Sequence, residues 1–123
     1  MTEEEQEELQ QALELRQAAE DLIAVAEEDL EEIRGRMAVK QMQLDKLLEN
    51  KRFLKGEAPV VILYGHQNEP GNYLKLLKEI EETEGHLMGM EFERARTQEE
   101  IDEARSTLPG INAMIEALGG EPK

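Results

Sequence analysis

The residues best equipped for chemistry in this 123-residue chain are two histidines and 29 acidic side chains, and their spacing decides what they can do. His66 stands in a turn-like stretch with Gln67 and Glu69, and His86 follows Glu82 and Glu84. A metal centre draws three or four ligands, commonly with a second His or Cys three or four residues from the first. Neither histidine has such a neighbour, and the chain contains no Cys. Glu82 and His86 are four apart and unrepeated, so the Glu-x-x-His pattern of a dimetal helical bundle is missing. No glycines fall at the GxGxxG or GxxxxGK[ST] spacing that cradles a phosphate. The residues therefore predict no catalytic centre, no metal and no cofactor, and the chain is read as non-enzymatic.

Such carboxylates need another explanation, and composition supplies it. Charged residues make up 35% of the chain and the larger apolar set 39%, with two Phe, two Tyr and no Trp. That content suits helices packed along a narrow seam better than an aromatic-filled globular core. One domain over residues 1–123 is expected from length alone. No apolar run approaches the ~18 residues of a membrane span. The start Met1-Thr2-Glu3-Glu4-Glu5 lacks the basic and apolar regions of a secretory signal, so the expected location is the cytoplasm or a larger particle.

The elements follow from periodicity. Residues 3–55 contain no Pro and one Gly, Gly35, among Glu, Gln, Ala, Leu, Lys and Arg, all strong helix formers apart from the Gly. Thr2 and Glu5 have capping-box spacing, and Gly56 fits the helix stop. A heptad with position a at Leu9 places Leu9, Arg16, Ile23, Leu30, Met37, Leu44 and Lys51 at a. Ala12, Ala19, Ala26, Ile33, Lys40, Leu47 and Leu54 then fall at d. All but Arg16, Lys40 and Lys51 are apolar, which is the pattern of a coiled-coil seam. A second heptad places Tyr73, Ile80, Leu87, Arg94, Ile101, Leu108 and Ile115 at a. Its d positions are Leu76, Thr83, Met90, Thr97, Ala104, Ile111 and Leu118. This predicts a helix over 72–108, then a kink or restart at Pro109-Gly110 into a short terminal helix over 109–118, with Ser106 or Thr107 capping it.

The two heptads complement each other. A single antiparallel offset sets Leu54 against Tyr73, Leu47 against Ile80, Met37 against Met90 and Leu9 against Leu118. The same offset sets Ala26 against Ile101, Ala19 against Leu108 and Ala12 against Ile115. Small residues meet large ones, as close packing requires. The fold class is therefore mainly all-α: a long antiparallel two-helix coiled-coil hairpin with a short β-strand at the connecting end and a Pro-kinked C-terminal helix. The strand is Val60-Val61-Ile62-Leu63-Tyr64, a β-branched run bounded by Pro59 and Gly65, within a strand-and-turn region over 57–71.

Function is sought in what the seam leaves over. Leu15 and Leu22 fall on one flank of helix 1, and Leu13 and Leu48 on the other. Met88 and Phe92 lie on the far side of helix 2, beside Gly85 and Gly89. A strand without a matching segment in its own chain pairs with another copy or with a partner's sheet edge. Val60, Val61, Ile62, Leu63, Tyr64, Leu15, Leu22, Met88 and Phe92 are thus the candidate interaction residues. The expected partners are proteins, foremost further copies of this chain.

Charge is unevenly spread: residues 1–33 carry thirteen acids and one base, residues 34–56 two acids and seven bases. The net charge of −15 argues against direct nucleic-acid binding. The favoured reading is an acidic structural or scaffold protein, of the small Cys-free kind used in viral and phage assemblies, that self-associates through strand and helix faces. An inhibitor mimicking nucleic acid is the alternative, since the acidic end could fill a basic groove. The order helix, β segment, helix is also similar in layout to a prefoldin-type chaperone subunit, which implies a chaperone role. That likeness is of architecture, with one strand where the prefoldin layout has a hairpin.

Overall fold

The computed structural model describes residues 2–54 and 70–120. Among them the chain is all-α, with α1 over Glu3–Leu54 and α2 over Pro70–Ala117. The expected strand Val60–Tyr64 and the stop at Gly56 lie outside the described residues, and no described residue forms a strand.

Local chemistry sets the ends. Thr2 Oγ1 accepts a hydrogen bond from the Glu5 amide at 3.1 Å, which satisfies one of the unpaired donors of the first turn. Glu3, Glu4 and Glu5 face the positive end of the α1 dipole, and Lys51 and Arg52 its negative end. Helix α2 begins at Pro70, two residues before the expected start at residue 72, and a proline is well tolerated in a first turn that has no use for its missing N–H. At the other end Gly119 takes φ 86°. Its amide bonds the Glu116 carbonyl at 3.0 Å, and the Gly120 amide bonds the Ile115 carbonyl at 2.9 Å. These two bonds form a Schellman stop, which needs a residue at ease with positive φ. Gly120 is constrained for a separate reason: a Cβ there would lie 2.8 Å from Ile115 Cγ2 and 2.9 Å from Leu9 Cδ1, so those side chains would have to shift.

The expected restart at Pro109 does not occur, because α2 runs through it as one element. Ser106 and Thr107 cap nothing; their hydroxyls donate to the carbonyls of Glu103 and Ala104, one turn back. The reason is tertiary. An interior proline costs a helix about 3 kcal/mol. Beyond it Ile115 is fully buried and Ile111 and Leu118 partly so, and full burial of one such side chain contributes about 1.5–3 kcal/mol. The seam outweighs the proline.

The helices pack in two compact units, one formed by Met1–Glu32 with Arg94–Lys123 and the other by Ile33–Glu93. In the first, Ala26, Leu30 and Ile101 form a buried cluster with Ile23 against it, while Leu9 and Ile115 meet around Gly120. In the second, Leu44, Leu76 and Ile80 form the cluster, with Leu47 and Leu87 packed on it. Rising numbers on α1 meet falling numbers on α2, so the helices are antiparallel within each unit. Every a and d position whose side chain is described is buried or half-buried, and Ala26 shares its cluster with Ile101 as the offset requires.

The polar seam positions solve their own desolvation. Thr83, 8% exposed, donates its hydroxyl to the Glu79 carbonyl at 2.8 Å, so it needs no partner across the seam. The Arg16 side chain is 14% exposed and its Nε lies 3.9 Å from Glu20 Oε1, one turn along α1. Its stem packs while its head pairs at the rim.

The register has a direct test. In a chain without native Cys, Met37→Cys with Met90→Cys should crosslink rapidly within one molecule, and Met37→Cys with Leu76→Cys should not. Mass spectrometry after mild oxidation reads the outcome. Equal yields from both pairs would contradict the register.

Candidate interaction surfaces

A two-helix pair has two sides, and the ion pairs identify them. Arg105 pairs with Glu27 in the first unit, both at heptad position e. Arg36 lies 3.6 Å from Glu93 in the second, both at position g. Position e thus faces e on one side and g faces g on the other, the arrangement of antiparallel seams. These pairs are about half exposed, so they orient the helices more than they stabilise them. Further support is local: Gln10–Glu14, Gln17–Asp21, Gln41–Asp45 and Gln98–Asp102 hydrogen bonds span one turn at 2.8–3.3 Å.

The first unit carries a second apolar stripe. Leu15 and Leu22, both expected as interaction residues, are 55% and 49% exposed at position g of α1. Ala18 and Val25 are also exposed, at position c, which neighbours g on the helix surface. The four repeat with steps of three, four and three. Met114, exposed at position g of α2, lies on the same side as Leu15, because the Glu27–Arg105 pair of this unit puts position e of both helices on one side and leaves position g of both on the other. On its outer edge the stripe is bordered by position f, occupied by Glu14, Asp21 and Glu28, all exposed.

The second unit carries a different surface. Phe92 and Met88 are 72% and 64% exposed on α2, one turn apart. Gly85 and Gly89 sit beside them, and a Cβ at either would meet nothing within 4 Å. A mid-helix glycine costs about 1 kcal/mol relative to Ala, and no packing among the described residues explains either one. Leu74 on α2, with Val39 and Met42 on α1, adds exposed apolar area to this unit. The remaining expected residues, Val60, Val61, Ile62, Leu63 and Tyr64, lie outside the described residues.

Val25, Val39, Met42, Leu74 and Met114 were missed by the sequence reading, although Val25 could have been found by carrying the heptad one position round from Leu22. Leu13, expected on the opposite flank, is half-buried, and Leu48 is barely exposed at 37%.

Among the described residues no group of three or more His, Asp or Glu is placed to hold a metal ion. The described helices include none long and apolar enough to cross a membrane. An open groove in the second unit is lined by Lys40, Gln43, Lys46, Leu47, Glu79, Glu82, Thr83 and His86. Its two Lys and two Glu balance, so it selects no ligand charge. Asn112 Oδ1 in the first unit is buried and has no hydrogen-bond partner among the described residues. In comparisons of sequence and fold, no protein-family model, curated protein or solved structure matches this chain.

If the stripe is true surface, polar substitution there should be harmless to folding. Leu15→Ser and Val25→Ser should each change unfolding free energy by less than about 0.5 kcal/mol. Ile101→Ala and Ile115→Ala, in the seam of the same unit, should each cost about 2–5 kcal/mol. Urea melts at one protein concentration compare them directly. Comparable losses in both sets would mean that the stripe is part of the core.

Proposed function

We propose that the protein is a non-enzymatic interaction protein: an acidic antiparallel coiled coil that associates with its own copies and serves as a scaffold or particle component. The observation that carries this reading is the Met88–Phe92 surface. It combines two large apolar side chains in water with two helix-weakening glycines that serve no contact among the described residues. Glycines four apart let a second helix approach closely, and the flanking Met and Phe then bury against it.

Charge favours a second copy as the occupant of this surface. The second unit, residues 33–93, carries ten acids and nine bases, a net −1. Like units can therefore meet without large mutual repulsion. The apolar run Val60–Tyr64 supports the same reading from sequence, as a segment suited to pair between copies.

Light scattering at micromolar concentration should give a particle larger than the 14.0 kDa chain. Phe92→Glu should reduce it while circular dichroism still reports the helices. Val61→Pro should reduce it further if strand pairing contributes. A native particle of 14.0 kDa at all concentrations would refute self-association.

A further inference from the structure

The first unit's exposed stripe points to a different occupant from that of the second unit. We infer that Leu15, Ala18, Leu22 and Val25 dock an amphipathic helix of another protein whose apolar ridge is flanked by Lys or Arg.

The geometry defines the ridge. Steps of three, four and three on exposed positions g and c reproduce on the outside of α1 the spacing that closes the seam on its inside. The stripe spans about 16 Å, some three turns. Met114 widens it from the neighbouring helix. A helix laid along it would insert its own side chains between these, since residues three and four apart present a continuous ridge.

Charge decides what kind of helix. Residues 1–32 and 94–123 together carry nineteen acids and five bases, a net −14, so nearly the whole net charge of −15 resides in this unit. The outer border of the stripe is a row of acids at intervals of seven, Glu14, Asp21 and Glu28. Asp29 and Glu32 close one end, and Glu8 the other. Two copies pairing through this stripe would bring two such rows together, which like charges at heptad flanks oppose. A helix with Lys or Arg at intervals of seven meets every acid of the row with a cation. The stripe thus specifies a basic partner, whereas a nucleic-acid mimic would have no use for the Leu and Val side chains along it.

The probe is a synthetic peptide of about three heptads with Leu along one ridge and Lys on its flanks. A matched peptide carries Glu in place of every Lys. Titration against the full-length protein should show binding of the Lys peptide and none of the Glu peptide. The double variant Leu15→Gln, Leu22→Gln should weaken the Lys peptide at least about tenfold, because two large side chains leave the contact. Raising salt from about 50 mM to about 500 mM should weaken binding without abolishing it. No binding, equal binding of both peptides, or full binding by the double variant would each overturn the inference; the last would mean that the acids act alone. A smaller native particle for the double variant would overturn it too, by assigning the stripe to a second copy. Phe92→Glu should leave peptide binding intact, so this inference and self-association fail separately.

Discussion

An apolar seam closed within one chain is the constraint on which the rest of this structure depends. Each helix offers one narrow stripe to its neighbour, and the chain closes both stripes against each other. Nothing else in the composition could serve as a core, because aromatic residues are scarce and 35% of residues are charged. The seam therefore overrides local preference wherever the two conflict. It carries α2 through Pro109 and holds Arg16, Lys40 and Arg94 among apolar neighbours at half-buried positions. It also leaves Gly120 as the residue that fits against Leu9 and Ile115.

Once the seam is closed, surface properties become the functional vocabulary. The two units share a packing scheme and differ in what they present to water. One is strongly acidic and carries an outer stripe at heptad spacing; the other is nearly neutral and carries Phe92 and Met88 beside two glycines. On the proposed reading, the nearly neutral unit can meet its own copy without large repulsion, while the acidic unit suits a basic partner.

The heptads were legible in the sequence because their period dominates every other signal in helices rich in Glu, Ala and Leu. The offset between them was legible because small and large residues alternate in complement, as Ala26 and Ile101 show. The continuity at Pro109 was not, since a local rule about proline says nothing of the burial waiting beyond it. Leu15, Leu22, Met88 and Phe92 could be recognised as outliers from the seam. Met114 could not be joined to Leu15 until the ion pairs fixed which side of α1 faces which side of α2. Val25 and Val39 escaped notice for a simpler reason: an isolated valine on a helix is an ordinary surface residue until its neighbours at three and four are counted.

Hydrogen exchange measured by mass spectrometry across the association range separates outer-face assembly from its main rival. In that rival, helices leave their own seam and exchange between copies. Dilution from high to low concentration should reduce protection in peptides covering residues 84–93 and leave the seam peptides around Leu30 and Ile101 unchanged. Loss of protection in those seam peptides on dilution would show that the seam itself is shared between chains, and would contradict the account.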